Sequence, residues 1–290
     1  MVRVRYSFGS RHTGKIENIK KQRGKYPDVM REVVRISDIV LEILDARFIE
    51  ETRNLEVEED VKKQGKILVY VLNKSDLVDV NEIKKNLPKW MKPYVFVSAT
   101  KGIGLRDLKA RIKMEAKRVK MEAKRVLVKN KDDNRKRVHV GVIGYPNTGK
   151  SSVINFITRR GVAKTSAKAG YTRGMQKIRM SEGILILDTP GVIPDSKYST
   201  EKESFAKDVK VGARTYSDVK YPEEMVFYLM SSDAGKIEKF YGIKAKGDVE
   251  ILIEKLGKEK GFLSKGGEVD VDRTARIILR DWQTGKIRTR

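Results

Sequence analysis

A mostly parallel α/β sheet followed by a small helical unit is the fold class this sequence predicts. Three observations carry it. Apolar runs rich in Val, Ile and Leu recur at 38–46, 66–76, 94–99, 138–144 and 184–188, each ending in a polar loop. Charged, helix-compatible segments separate most of these runs. After about residue 204 the strand texture stops and helical patterns take over. Strands buried on both faces and alternating with helices indicate a parallel sheet covered on both sides, a three-layer arrangement.

The elements follow in order. Residues 1–35 carry ten Lys/Arg against three acids and read as a basic arm ending in a helix, "DVMREVVRI", from Asp28. "DIVLEILDA" and "KILVYVLNKSD" are the first two strands, "YVFVSA" the third and "VHVGVIG" the fourth. "MQKIRM", "SEG" and "ILILD" read as a hairpin, which makes one edge strand antiparallel. Between the third and fourth strands lies a perfect tandem repeat, "KMEAKRVKMEAKRV", at 113–126. Ile112, Ala116, Val119, Ala123 and Val126 fall at spacings of four and three, the stripe of an amphipathic helix that packs on the sheet. Residues 106–137 hold 14 basic and 5 acidic side chains, so this helix is also a candidate RNA contact. Beyond 204, "PEEMVFYLM" begins with Pro at a first helical position, "DVEILIEKLGKEKG" ends on Gly261, and "EVDVDRTARIILRDW" follows the Gly266–Gly267 turn. In that last helix Arg273, Arg276 and Arg280 recur on one face.

Composition narrows the function classes. The 290-residue chain is 39% hydrophobic, enough for a real core, and has no apolar run of about 18 residues, so no membrane span is expected. No secretory h-region is visible. With no cysteine, disulfides and thiolate sites are excluded, which fits a reducing, cytoplasmic interior. A net charge of +24 points to a polyanion, because Lys/Arg contacts to phosphates release counterions.

Four motifs carry chemistry. Gly144 to Ser151, "GYPNTGKS", fits G-x-x-x-x-G-K-[ST] between a strand and a helix. Its glycines let backbone N–H groups face phosphate at a helix N-terminus. Lys150 is placed to neutralise the β and γ phosphates and Ser151 to ligate Mg²⁺, with Asn147, Thr148, Gly149 and Ser152 in the same cradle. "DTPG" ends the fifth run: Asp188 is placed for the Mg²⁺ shell and the Gly191 N–H for the γ-phosphate. Between them, Thr172 in "AKAGYTRG" is placed to complete the Mg²⁺ coordination. "NKSD" ends the second strand. The Asp76 carboxylate can accept from guanine N1–H and the 2-amino group together, whereas adenine lacks both donors. The Lys74 stem would cover the base and Asn73 would bridge to the phosphate loop. In "SAT", Ser98, Ala99 and Thr100 follow a strand, with the Ala99 N–H placed for guanine O6. These motifs imply GTP/GDP and Mg²⁺, and make Lys150, Thr172 and Gly191 the catalytic candidates.

The base-reading motifs precede the phosphate-binding ones. In an open α/β sheet, ligands bind outside the carboxyl ends of the strands, so the site needs the loops to meet in space, whatever their order.

This arrangement resembles the circularly permuted GTPases of the YlqF/RbgA and YawG class, P-loop NTPases linked to assembly of the large ribosomal subunit. The likeness runs from about 36 to 290 and includes "DARFIEETRN" (45–54), the four motifs, "FYGI", "KGFLSKGGEVD" and "IILRDWQTGKI". The resemblance implies three parts: an arm and helix at 1–35, a permuted GTPase domain at 36–197 and a helical RNA- and ribosome-binding domain at 198–290. It implies slow GTP hydrolysis stimulated by a ribosomal partner, large-subunit rRNA as the partner rather than DNA or membrane, and a monomer. Two departures stand out. Ala169 precedes Gly170 where the family usually has Pro, and the arm reads Phe8-Gly9-Ser10-Arg11-His12 where bacterial members have F-P-G-H-M. Val192 follows Gly191, a place where many GTPases orient water with Gln. The missing group has three sources left open: His12, K⁺ held by Asn147 as in potassium-activated relatives, or an RNA or ribosomal partner. His139, inside a strand, reads as structural. Residues 192–204 join the switch to the helical part, so a γ-phosphate that orders them would reposition those helices.

Overall fold

The structure, a computed structural model, describes residues 26–127, 137–158, 176–188 and 201–288. Its sheet has six strands: β1 (Ile39–Asp45), β2 (Ile67–Asn73), β3 (Tyr94–Phe96), β4 (Val138–Gly144), β5 (Gln176–Ser181) and β6 (Ile184–Asp188). They lie in the order β3-β2-β1-β4-β6-β5. The β5–β6 hairpin is antiparallel and the other four pairings are parallel. β1 is central. Its register sets Asp45 level with Asn73 on β2, and Ile43 level with Gly144 on β4. The loops that carry the NKSD and GYPNTGKS motifs therefore leave the sheet at one height on either side of β1.

Alternation along β1 assigns the layers. Ile39, Leu41 and Ile43 pack with α5 (Leu105–Leu127) and α6 (Lys150–Thr158) through Leu108, Ile112, Ala116, Val153, Ile154 and Ile157. Val40 points the other way, to Met30, Val33 and Val34 of α1 (Tyr26–Ile36). Between β1 and β2 lie α2 (Ile49–Thr52) and α3 (Leu55–Lys63), and Val57 and Val61 of α3 join that second layer. After β2 comes α4 (Val80–Asn86). The helix expected at the end of the arm thus starts two residues earlier and belongs to the sheet's core.

The helical region has four helices: α7 (Glu201–Lys210), α8 (Pro222–Tyr241), α9 (Val249–Glu259) and α10 (Val271–Gln283). Pro222 stands at the start of α8, and Asp248 and Asp270 cap α9 and α10 through Ile251 N and Arg273 N. α7 starts inside the 192–204 stretch that the sequence marks as connection. The cluster it helps close is centred on Trp282, fully buried, whose indole N–H donates to Lys210 O at 3.0 Å. Gln283 Nε2 donates to Val209 O and Arg214 O, both at 2.9 Å. This cluster also takes in Phe48 and Tyr145 from the loops after β1 and β4. The Phe48 and Trp282 rings lie 6.1 Å apart, so the two parts of the chain share one apolar contact.

That shared contact makes a prediction. Phe48→Ala and Trp282→Ala should each cost about 3–5 kcal/mol, the range for deleting a buried aromatic. Urea unfolding followed by Trp fluorescence and far-UV circular dichroism should show one transition moving as a unit in Phe48→Ala. A helical part that melts at its wild-type midpoint in that variant would show that the two clusters are independent.

Candidate nucleotide site

The phosphate loop is held by backbone geometry that few side chains permit. Gly144 and Gly149 have φ of 149° and 95°. A Cβ on Gly149 would run into the Asn73 amide, and one on Gly144 into Ile43 O. Asn147 takes the left-handed conformation at φ 59°. Thr148 Oγ1 donates to Tyr145 O at 2.9 Å and closes the turn. Lys150 is buried, and its ammonium donates to Gly144 O at 3.0 Å and Tyr145 O at 2.8 Å. Burial lowers its pKa to about 8 against the opposing pull of Asp188, at the end of β6. Ser151 and Ser152, both half-buried, open α6 beside it.

Asn73 joins the two halves of the site. Its Nδ2 donates to Thr148 O at 2.8 Å, and its Oδ1 accepts from Ala99 N at 3.2 Å. The amide thereby ties the phosphate loop, 75 residues further along the chain, to the Ser98-Ala99-Thr100 loop. The Ala99 N–H, expected to face the base, is directed at Asn73. Ser98 is buried and its hydroxyl accepts from Lys101 N at 3.2 Å, with Thr100 Oγ1 3.4 Å away. Asp76 Oδ1 is buried with no hydrogen-bond partner among the described residues. A buried carboxylate oxygen left that way is costly unless a donor arrives. Guanine presents two donors on one edge, and the residues present fit it.

The Asp45-to-Asn54 stretch has a structural part that sequence reasoning left blank. Asp45, wholly buried, receives Lys74 Nζ at 2.7 Å and Arg47 at 2.8 and 3.0 Å. Arg47 Nη1 then donates to Trp282 O at 3.1 Å, in the last turn of α10, where carbonyls favour a cation. Lys74, in the left-handed conformation at φ 60°, is thus aimed by a carboxylate that also holds the helical region. Further along, Thr52 Oγ1 accepts from Asp45 N, and Asn54 caps α3 through Val57 N. A polar pair closing a central strand was the signal available; the partners lie 29 and 235 residues away.

The phosphate loop meets the helical region as well. Tyr145 OH donates to Asp208 Oδ1 at 2.8 Å, and Asn147 Nδ2 donates to Gly212 O at 2.7 Å. Asn147 therefore commits its amide nitrogen to the turn after α7. Of the other expected site residues, His12, Thr172 and Gly191 lie outside the described residues, as does Val192.

Burial alone would raise the Asp45 carboxyl, but Lys74 and Arg47 outweigh it and hold it at about 2. The folded value is below the unfolded one of about 3.9, so this contribution is complete above that pH and is lost as pH falls toward 2. Asp45→Asn should cost about 3–5 kcal/mol at neutral pH, because Arg47 is left buried beside a neutral amide. Urea midpoints at pH 6 and pH 3 should differ less in the variant than in the parent. Equal pH dependence in both proteins would remove Asp45 from this role.

Comparison with known proteins agrees with the geometry. Residues 139–248 match a family model described as 50S ribosome-binding GTPase. An uncharacterized GTP-binding protein of Methanocaldococcus jannaschii is 35% identical over 267 residues, covering 89% of this chain and 65% of the relative. Nucleolar GTP-binding protein 2 of Saccharomyces cerevisiae is 32% identical over 259 residues, covering 88% of this chain and 51% of the relative. The chain thus spans about half to two thirds of the length of these relatives. Among solved structures, GNP-bound YlqF from T. maritima superimposes with a TM-score of 0.59 at 22% identity, covering 94% of this chain and 96% of that one, a likeness of fold. Residues 139–248 thus match a GTPase domain, and with the NKSD and SAT loops placed before the phosphate-loop motif and a sheet that matches YlqF in fold, the chain is similar to the circularly permuted GTPases of the YlqF class.

Proposed function

We propose that this chain binds GTP and GDP, hydrolyses GTP to GDP and phosphate, and serves as a switch in assembly of the large ribosomal subunit by binding its rRNA. The observation that carries the nucleotide half is the buried Asp76 oxygen, unpartnered among the described residues, on the loop whose Asn73 amide bonds to Thr148 and Ala99. In this reading Asp76 selects the base and Lys74, anchored on Asp45, lies along its face. The backbone of 147–151 and Lys150 hold the phosphates. Ser151, Asp188 and Thr172 are the Mg²⁺ ligands, a hard-oxygen set suited to that ion. Asn147 is assigned to K⁺ through its oxygen, since its nitrogen is held by Gly212. Gly191 senses the γ-phosphate, and His12, K⁺ or the ribosomal partner supplies what Val192 cannot. The printed names of the relatives and the net charge of +24 support the ribosomal half. A cytoplasmic monomer is the proposed form; no helix among the described residues is long and apolar enough to cross a membrane.

GTP should bind more tightly than ATP by on the order of a thousand-fold, because adenine leaves the Asp76 carboxylate unpaired. Asp76→Asn should move the preference toward xanthine nucleotides, whose O2 accepts from the new amide. Titration with fluorescent nucleotides reads both, and similar ATP and GTP affinities would sink the assignment.

Lys150→Ala and Ser151→Ala should each lower phosphate release by about 100-fold or more, the size expected when a charge-stabilising group is removed. Single-turnover assays with and without purified large subunits give the comparison. Turnover in the parent that large subunits leave unchanged would count against the ribosomal half alone.

A further inference from the structure

The tandem repeat in α5 is the sequence feature that the nucleotide site does not use. Leu108, Ile112 and Ala116 bury one face of this helix in the sheet core. On the outward side Arg106, Lys113, Lys117 and Lys120 are all exposed. At 3.6 residues per turn these four fall within about 60° of each other and span about 21 Å along the axis. They form one straight row. No ion pair reaches any of them among the described residues.

The neighbouring arginines behave differently. Arg111 pairs with Glu115 at 3.4 Å, and Arg118 pairs with Glu122 at 3.2 Å. Glu115 and Glu122 are thus spent on the opposite flank of the helix. The positions three and four residues from Lys113, Lys117 and Lys120 hold Lys, Ala or Met and no acid. Lys113, Lys117 and Lys120 stand one turn apart, and like charges at that spacing oppose helix formation. The repeat writes the same pair again at Lys120 and Lys124. The row is a self-repelling feature that an external polyanion would relieve.

The row in α10 contrasts with it. Arg276 is held by Asp272 at 2.6 Å and donates to Tyr216 O at 2.8 Å, while Arg280 pairs with Asp281 at 3.2 Å. Arg273 lies over the Phe262 ring, 4.2 Å from its centroid. Two of those three guanidinium groups are therefore committed to the protein's own acids.

We infer that the α5 row is an RNA-binding surface: Arg106, Lys113, Lys117 and Lys120 follow the phosphodiester backbone of an RNA duplex, apart from any contact made by the helical region. Lysines are point charges that neutralise phosphate without reading bases, so the surface positions RNA and does not select sequence. A membrane fits less well, because the apolar face an interfacial helix inserts is here buried in the core. Among the described side chains of α5, the exposed large hydrophobic ones are Met114 and Met121. The inference rests on the RNA half of the proposed function and is independent of the nucleotide half.

The test uses the full chain and the variant Lys113→Glu/Lys117→Glu/Lys120→Glu. Fluorescence anisotropy with a short RNA duplex, over a series of salt concentrations, gives affinity and its salt slope. The variant should bind at least ten-fold more weakly, with log K falling less steeply against log salt by about 2–3, one unit for each lost phosphate contact. Its GDP affinity should match the parent and its thermal midpoint should not fall below the parent's, since the three side chains are exposed and unpaired and the row repels itself. Lys113→Gln/Lys117→Gln/Lys120→Gln, which adds no negative charge, should show most of the same slope change. Parent-like affinity and slope in both variants would overturn the surface, as would binding of the parent to anionic phosphatidylserine vesicles in preference to the duplex. A parent chain with no RNA affinity would instead overturn the proposed partner, and failure to bind GTP would bear on the nucleotide reading alone.

Discussion

The carboxylate of Asp45 is the constraint on which the arrangement of this molecule depends. It ends the central strand and is wholly buried. A buried carboxylate must be paired, and this one has two cations that lead in opposite directions. Lys74 carries it into the base-reading loop, and Arg47 carries it to the last carbonyls of α10. Removing either cation would leave the other pairing geometrically intact but the charge balance broken. The base loop and the helical region are therefore not two attachments to a sheet. They are the two sides of one buried charge network, with the Phe48–Trp282 contact beside it as the apolar half of the same junction.

That junction changes the meaning of the permutation. Joining the switch to the helices through 192–204 suggests a single covalent relay. The structure adds noncovalent ones at the other motifs. Tyr145 and Asn147, the two polar side chains of the phosphate loop that point away from its glycine turn, both bond to the helical region, at Asp208 and Gly212. The Asp208 carboxyl is raised by burial, against the pull of the Tyr145 hydroxyl and Arg214, so this contact too sits in a place water does not reach. A ligand that moves the phosphate loop by a fraction of an ångström would disturb hydrogen bonds in the helical region without any message passing along the chain. Packed interfaces of this kind shift between discrete arrangements more readily than they stretch.

The parts of this fold that were legible in the sequence are those written in local pattern. The five apolar runs were strands because burial on both faces demands continuous Val, Ile and Leu, and the hairpin was marked by "SEG". The turn at 144–149 was legible because its tight backbone requires glycine at fixed places between a strand and a helix. α7 was not legible, because it closes against Trp282, about 70 residues downstream. The arginines of α10 looked like an outward row by spacing alone; their commitment to Asp272, Tyr216 O and Asp281 depends on neighbours that spacing does not reveal. The same holds for Arg47 and Asn147, whose partners are on the far side of the chain. Long-range polar partners have no period, and period is what a single sequence offers.

A second buried network suggests why β1 tolerates charge at its centre. Glu42, level with Tyr70 on β2, accepts from Asn54 N at 2.8 Å and stands beside Glu58. Burial and the neighbouring Glu58 raise its pKa well above the ordinary carboxyl range, with Asn54 and Arg53 opposing. Glu58 in turn receives Arg53 at 2.7 Å and the Tyr70 hydroxyl at 2.8 Å. The two ends of the Asp45-to-Asn54 stretch are thus both fixed by carboxyl groups of the central strand, Asp45 and Glu42. A ten-residue segment pinned in that way holds Phe48 and Arg47 at a set height above the sheet. The helical region finds a rigid seat there, and the nucleotide loops have a fixed frame to move against.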